Sequence, residues 1–133
     1  MVANPSGKGT IVSQKTLHEP IKYVQKGWGY EKWIVNKEKY CGKLLFFEKG
    51  KKCSWHYHKI KDEVFYLQSG LMIIKYGEND NPEFADEIML LPGQSFYVYP
   101  GLRHQMTALE NSELFEFSTQ HFDEDSYRVC KGD

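Results

Sequence analysis

Two histidines and a glutamate stand at a spacing that suits a metal ion: His56-Tyr57-His58, then four residues, then Glu63, framed by Gly50 and Gly70. Alternate residues of a β-strand share a face, with Cβ atoms about 6.5 to 7 Å apart, so His56 and His58 can converge on one ion. Residues 59–62 fit a four-residue hairpin connection, which would make His58 and Glu63 cross-strand neighbours. Two imidazoles and a carboxylate form the ligand set of a mononuclear divalent transition-metal site with positions left open for water or substrate. His104, which follows Pro92-Gly93 and Tyr99-Pro100-Gly101 as a strand resumes, supplies the fourth ligand. The expected cofactor is one divalent transition metal: Zn, Fe, Mn or Ni.

Strands must position these groups. Short apolar and aromatic runs recur at residues 21–24, 30–35, 44–48, 64–68, 71–76, 87–91, 96–99 and 114–118, with Gly42, Gly50, Gly70, Gly77, Pro82, Gly93 and Gly101 between or beside them. That rhythm is all-β, a sandwich or barrel. No segment sustains a 3.6-residue apolar period, although residues 123–130 could hold a terminal helical turn. Alternation from Glu63 places Phe65 and Leu67 on the inner face, and alternation from His104 adds Met106, so the pocket beside the ion is expected to be apolar. Tyr57 faces away from the histidine pair on its own strand.

The totals bound the function. With 133 residues the chain is expected to form one domain with a sizeable core, and residues 1–10 read as a mobile arm. Hydrophobic content of 41% beside 26% charged residues is that of a globular protein, and no apolar stretch approaches membrane-spanning length. The N-terminal ten residues lack an apolar signal core, so the expected location is cytoplasmic. Three cysteines, Cys41, Cys53 and Cys130, form no Cys-x-x-Cys pair and read as reduced thiols. Alternation aims Cys53 away from the ligands. Two arginines and a net charge of -1 speak against nucleic acid. Lys49, Lys51, Lys52, Lys59 and Lys61 flank the ligands; part of this cluster could rim the site and attract an anionic substrate, or it could be a solvated hairpin.

The pattern Gly50, His56, His58, Glu63 and Gly70, followed by Gly93, Gly101 and His104, resembles the two signatures of the cupin superfamily. Tyr99 stands where a proline is usual, with Pro100 one step later. The resemblance implies a double-stranded β-helix, the cupin jelly-roll barrel, with residues 50–104 carrying both motifs. Lys26-Gly27-Trp28-Gly29-Tyr30-Glu31, the segment 97–104, and Phe115-Glu116-Phe117-Ser118-Thr119 with Asp123, Asp125 and Arg128 are similar to the cupin domain of type II mannose-6-phosphate isomerases. Departures are His56, where many members have Gln, and Gln120, where a proline follows Ser-Thr. A nucleotidyltransferase domain, often fused to such cupins, is not among these residues, so the resemblance carries no GDP-sugar synthesis.

What that resemblance implies is an aldose–ketose isomerase acting on a sugar or sugar phosphate of the mannose-6-phosphate type. Such chemistry needs a Lewis acid on the substrate oxygens and a base that shuttles a proton between adjacent carbons. Lys61 and Glu116 are the candidate bases. Arg103 is a candidate for a phosphate or carboxylate, Tyr57 and Phe65 are candidate substrate contacts, and Trp28, Trp33 and Trp55 offer stacking faces. The same ligand set could serve a non-haem dioxygenase, and a non-catalytic sugar-binding or sensing module is a third reading. Small-molecule partners are expected, and by analogy with cupin barrels a homodimer.

Overall fold

The computed structural model describes residues 16–133, so the proposed arm at residues 1–10 lies outside the described residues. Among the described residues there are eleven strands: β1 (Lys22–Lys26), β2 (Gly29–Asn36), β3 (Cys41–Phe47), β4 (Trp55–Tyr57), β5 (Glu63–Ser69), β6 (Met72–Gly77), β7 (Asp86–Leu90), β8 (Ser95–Val98), β9 (Arg103–Ala108), β10 (Ser112–Ser118) and β11 (Tyr127–Cys130). They form a six-stranded sheet in the order β1-β2-β3-β10-β5-β8 and a five-stranded sheet in the order β11-β4-β9-β6-β7. Every strand pair is antiparallel. The two sheets face each other around a shared interior, as expected of a double-stranded β-helix.

Period-two patterning decides what fills that interior. On β3, Cys41, Lys43, Leu45 and Phe47 are buried at alternate positions; on β5, Glu63, Phe65 and Leu67; on β10, Ser112, Leu114 and Glu116. Register aligns these into rows across the sheet. Leu45, Leu114 and Leu67 lie opposite one another, while the next inward row is Lys43, Glu116 and Phe65. The barrel therefore grades from an apolar end, closed by Leu67, Met72, Ile74, Leu90 and Leu114, to a charged end. Burial of the first end drives folding, and the second is where the histidines sit.

Two local expectations change. Residues 59–62 are not a hairpin connection: β4 belongs to the five-stranded sheet and β5 to the six-stranded one, so the segment crosses the barrel. Its backbone N–H groups find a carboxylate instead of a ladder. Asp125 accepts from Lys59 N at 2.9 Å, Ile60 N at 3.1 Å and Lys61 N at 3.0 Å. Residues 123–130 likewise hold only a short 3-10 turn, Asp123–Asp125, before β11 pairs with β4. An edge needing a partner outweighs the weak local helical preference of a seven- to eight-residue stretch.

Candidate metal centre and ligand cavity

Strands from both sheets aim four side chains at one point. His56 on β4 lies directly opposite His104 on β9, His58 follows β4, and Glu63 opens β5 across the barrel. Ligand nitrogens of His56, His58 and His104 all lie within 4.8 Å of one another. Glu63 Oε2 is 3.5 Å from Nε2 of both His58 and His104. Donors held about 2.1 Å from a common ion stand about 3.0 to 3.4 Å apart, close to that separation.

Each imidazole is oriented from behind. Nδ1–H of His56 donates to the Ser54 carbonyl at 2.8 Å, that of His58 to the Asp125 carbonyl at 2.8 Å, and that of His104 to the Leu102 carbonyl at 2.9 Å. A carbonyl only accepts, so the proton is fixed on Nδ1 and each Nε2 presents a lone pair to the common point. Burial, and next the neighbouring histidines or Lys61, pushes all three imidazoles down to about 3, so they are neutral ligands at ordinary pH. Burial, and then Glu116, pushes the Glu63 carboxyl well above the usual range. Both Glu63 oxygens and His104 Nε2 are buried without a hydrogen-bond partner among the described residues. Polar atoms buried in that way are costly unless something cationic joins them. The donor set and its orphaned atoms therefore fit a divalent transition metal.

The cluster opens into a cavity of about 760 Å³, within the range used for small-molecule ligands. Phe65 and Met106 form part of its wall, as alternation from the ligands foretold, but the pocket is not the apolar one expected. Lys61 Nζ is 3.0 Å from Glu116 Oε2 and 4.0 Å from Glu63 Oε1, with the lysine only 2% exposed. Burial works against the Lys61 ammonium, yet the Glu116 and Glu63 carboxylates outweigh it and raise its pKa. Burial alone would raise Glu116, but Lys61 and Lys43 bring it down to about 2. Beyond this pair, buried Lys43 lies 3.6 Å from Glu31 and sits 4.0 Å from the centre of the Trp33 ring.

Of the residues singled out in the sequence, the structure brings His56, His58, Glu63, His104, Lys61, Glu116 and Phe65 to the cavity or its metal cluster. Arg103 and Tyr57 are not on the cavity wall. Arg103 pairs with Asp80 at 2.8 Å, donates to the Gly101 carbonyl and lies 3.7 Å from the centre of the Tyr57 ring, and Tyr57 also stacks on Tyr127. Both follow the outward side of their strands' alternation. Among the flanking lysines only Lys61 enters; Lys49 pairs with Glu110 and Lys59 lies over Tyr127. The indoles have other occupations: Trp28 stacks on Phe47, Trp55 donates to the Asp80 carbonyl, and Trp33 carries Lys43 and Lys22 against its ring. Cys53, expected to point away, lines the cavity, and burial pushes its thiol up to about 12.

The sequence reading offered Trp33 as a stacking face but gave no site role to Glu31, Lys43, Asp125 or Arg128, which line the cavity or brace a ligand. The inward alternation Cys41-Lys43-Leu45-Phe47 was the available signal for Lys43. Asp125 was noted only within the closing segment that carried the resemblance, and local pattern gave no sign of its role because its partners lie 64 to 67 residues away.

No family model and no curated protein matches the sequence. Solved structures do resemble the fold. KdgF from Halomonas sp. is 18% identical with a TM-score of 0.66, over 77% of this chain and 89% of that one. An RmlC-like cupin from Shewanella frigidimarina is 17% identical with a TM-score of 0.65, over 77% and 86%. Oxalate decarboxylase from Bacillus subtilis is 18% identical with a TM-score of 0.70 over 90% of this chain, which spans only 33% of that one. Among the described residues no helix is long and apolar enough to cross a membrane. Two antiparallel sheets closed around a histidine-lined interior, superposing on these structures, give this chain the cupin fold.

Proposed function

We propose that the protein is a metal-dependent small-molecule cupin, an aldose–ketose isomerase acting on a sugar or sugar phosphate of the mannose-6-phosphate type, working in the cytoplasm as a homodimer. The observation that carries the reading is the placement of a three-histidine, one-glutamate cluster and a buried Lys61–Glu116 pair on one cavity wall. His56, His58, Glu63 and His104 would hold the ion, which supplies positive charge to polarise the oxygens of a bound sugar. Lys61 presents an ammonium beside the same space and steadies negative charge on a ligand oxygen. Glu116 is the carboxylate within reach of Lys61, and it takes a proton from one sugar carbon and returns it to the next, while the hydroxyl proton passes between the two adjacent oxygens. The apolar wall at Phe65 and Met106 limits water around these groups. Two of the structural neighbours are described in terms that fit: a capsular polysaccharide assembling protein from Staphylococcus aureus and the manganese(II) centres of Bacillus subtilis oxalate decarboxylase.

The test is elemental analysis of the purified protein, followed by mannose, fructose and their 6-phosphates under nitrogen. One equivalent of a divalent transition metal and anaerobic interconversion are expected. Oxygen consumption coupled to turnover would overturn the isomerase in favour of a dioxygenase, and saturable binding without product would leave a sugar-binding module.

A further inference from the structure

Charge on the cavity wall is unevenly satisfied. Four of its five carboxylate side chains meet a donor: Glu116 meets Lys61, Glu31 meets Lys43 and Lys26, Asp123 meets His121, and Asp133 accepts from Lys52 N, while the fifth, Glu63, faces the histidines. Three lining cations are different. Among the described residues no carboxylate lies within 4.0 Å of Lys22, Arg128 or Lys131. Six cationic and five carboxylate side chains line the cavity, so what sets this wall apart is the placement of three cations away from any carboxylate more than its net charge.

Arg128 is the member with the most specific placement. On β11 it lies directly opposite His56 of β4, and residues opposite one another share a face of the sheet. Its guanidinium therefore belongs to the rim beside the metal cluster. The other arginine, Arg103, spends its donors on Asp80 and Gly101 and its face on Tyr57. A guanidinium offers a planar fork of N–H donors that matches a carboxylate or phosphate better than a lysine does.

We propose that Arg128 binds the oxyanion group of an anionic sugar-like ligand at the cavity mouth, with Lys22 and Lys131 adding attraction. The inference rests on the reading above only in placing the ligand in this cavity. It requires neither isomerisation nor a particular metal.

The experiment measures binding of mannose 6-phosphate, glucuronate and mannose by calorimetry to the full chain and to Arg128→Met, Arg128→Lys and Arg103→Met. Arg128→Met is expected to weaken whichever anion binds by at least tenfold, to leave any mannose binding within about twofold, and to keep the metal content and melting temperature of the parent. Arg128→Lys recovers part of the loss, Arg103→Met shows none, and raising ionic strength to about 0.15 M weakens anion binding more in the parent than in Arg128→Met. Phosphate and carboxylate sources are told apart by which of the two anions binds. Equal affinity of the parent and Arg128→Met for the anions, equal loss for mannose and anions, or no anion binding by the parent overturns the proposal. Arg128-dependent binding without isomerisation sinks the isomerase while leaving this inference standing; isomerisation with a KM untouched by Arg128→Met does the reverse.

Discussion

In the proposed site four side chains would hold the ion, and the cost of losing any one depends on what it leaves behind. His104 is fully buried, with Nδ1 held by Leu102 and Nε2 without a protein partner. His104→Ala and His58→Ala are expected to strip the ion while leaving β-rich circular dichroism, so a fully loaded His58→Ala protein would refute the site. Glu116→Gln separates metal holding from proton handling. Metal content should persist, turnover should fall at least a hundredfold, and thermal stability should drop by about 3 kcal/mol because the Lys61 ammonium keeps a buried charge without its nearest carboxylate. Retained turnover in a folded, loaded Glu116→Gln protein would remove that residue from the reaction.

The ligands, by residue type and spacing, were legible in the chain; the way elements bring them together was only partly so. Period two put His56 and His58, or Glu63 and Phe65, on common faces because that periodicity is a local property of an extended backbone. It said nothing about which sheet a strand joins. The residues between His58 and Glu63 read as a hairpin because four residues suffice for one, yet Asp125 draws their N–H groups into a crossover. Asp125→Ala is accordingly expected to cost about 3 kcal/mol in denaturant unfolding, since the N–H groups of residues 59–61 lose their acceptor, while the residue 125 carbonyl that takes His58 Nδ1–H remains and metal affinity falls less than in His58→Ala. The framing glycines are also unequal. Gly70 has φ +97, and a Cβ there would lie 2.2 Å from Ser112 Oγ, whereas Gly50 has φ +83 with nothing within 4 Å. Gly70→Ala should therefore destabilise by about 3 kcal/mol and Gly50→Ala by only about 1 kcal/mol. Equal losses would mean that the close approach at Gly70 is relieved elsewhere.

For the whole molecule the buried histidines link stability to acidity. His56, His58 and His104 are held at about 3, below their unfolded value near 6.5, so between those limits the unfolded chain binds more protons and stability falls as pH falls. Glu63, held above its unfolded value, acts in the opposite sense from about pH 4.5 upward. His121, also held down chiefly by burial, joins the histidine side, so between about pH 6.5 and 4.5 the metal-free protein is expected to lose stability as pH falls. Melting temperatures of chelator-treated protein across that window should fall with pH, and less steeply in His104→Gln; a flat profile would show the imidazoles to be open to water. At the same scale strand rhythm gave an all-β sandwich or barrel, and the resemblance carried by the two signatures implied the cupin fold. The cavity's charged character was not readable, because which face of β2 and β3 carries Glu31 and Lys43 inward, and where β11 places Arg128, depend on how the strands are assembled.

The grip of Asp125 on the segment after β4 has one more consequence. Its carbonyl steadies His58 across 67 residues of sequence. A peptide comprising residues 50–104 would carry every donor atom and both signatures, yet it would make a poor ion trap, because the backstop for one imidazole arrives with a later stretch of chain. During synthesis, tight capture of the cation must wait until that stretch has emerged and docked.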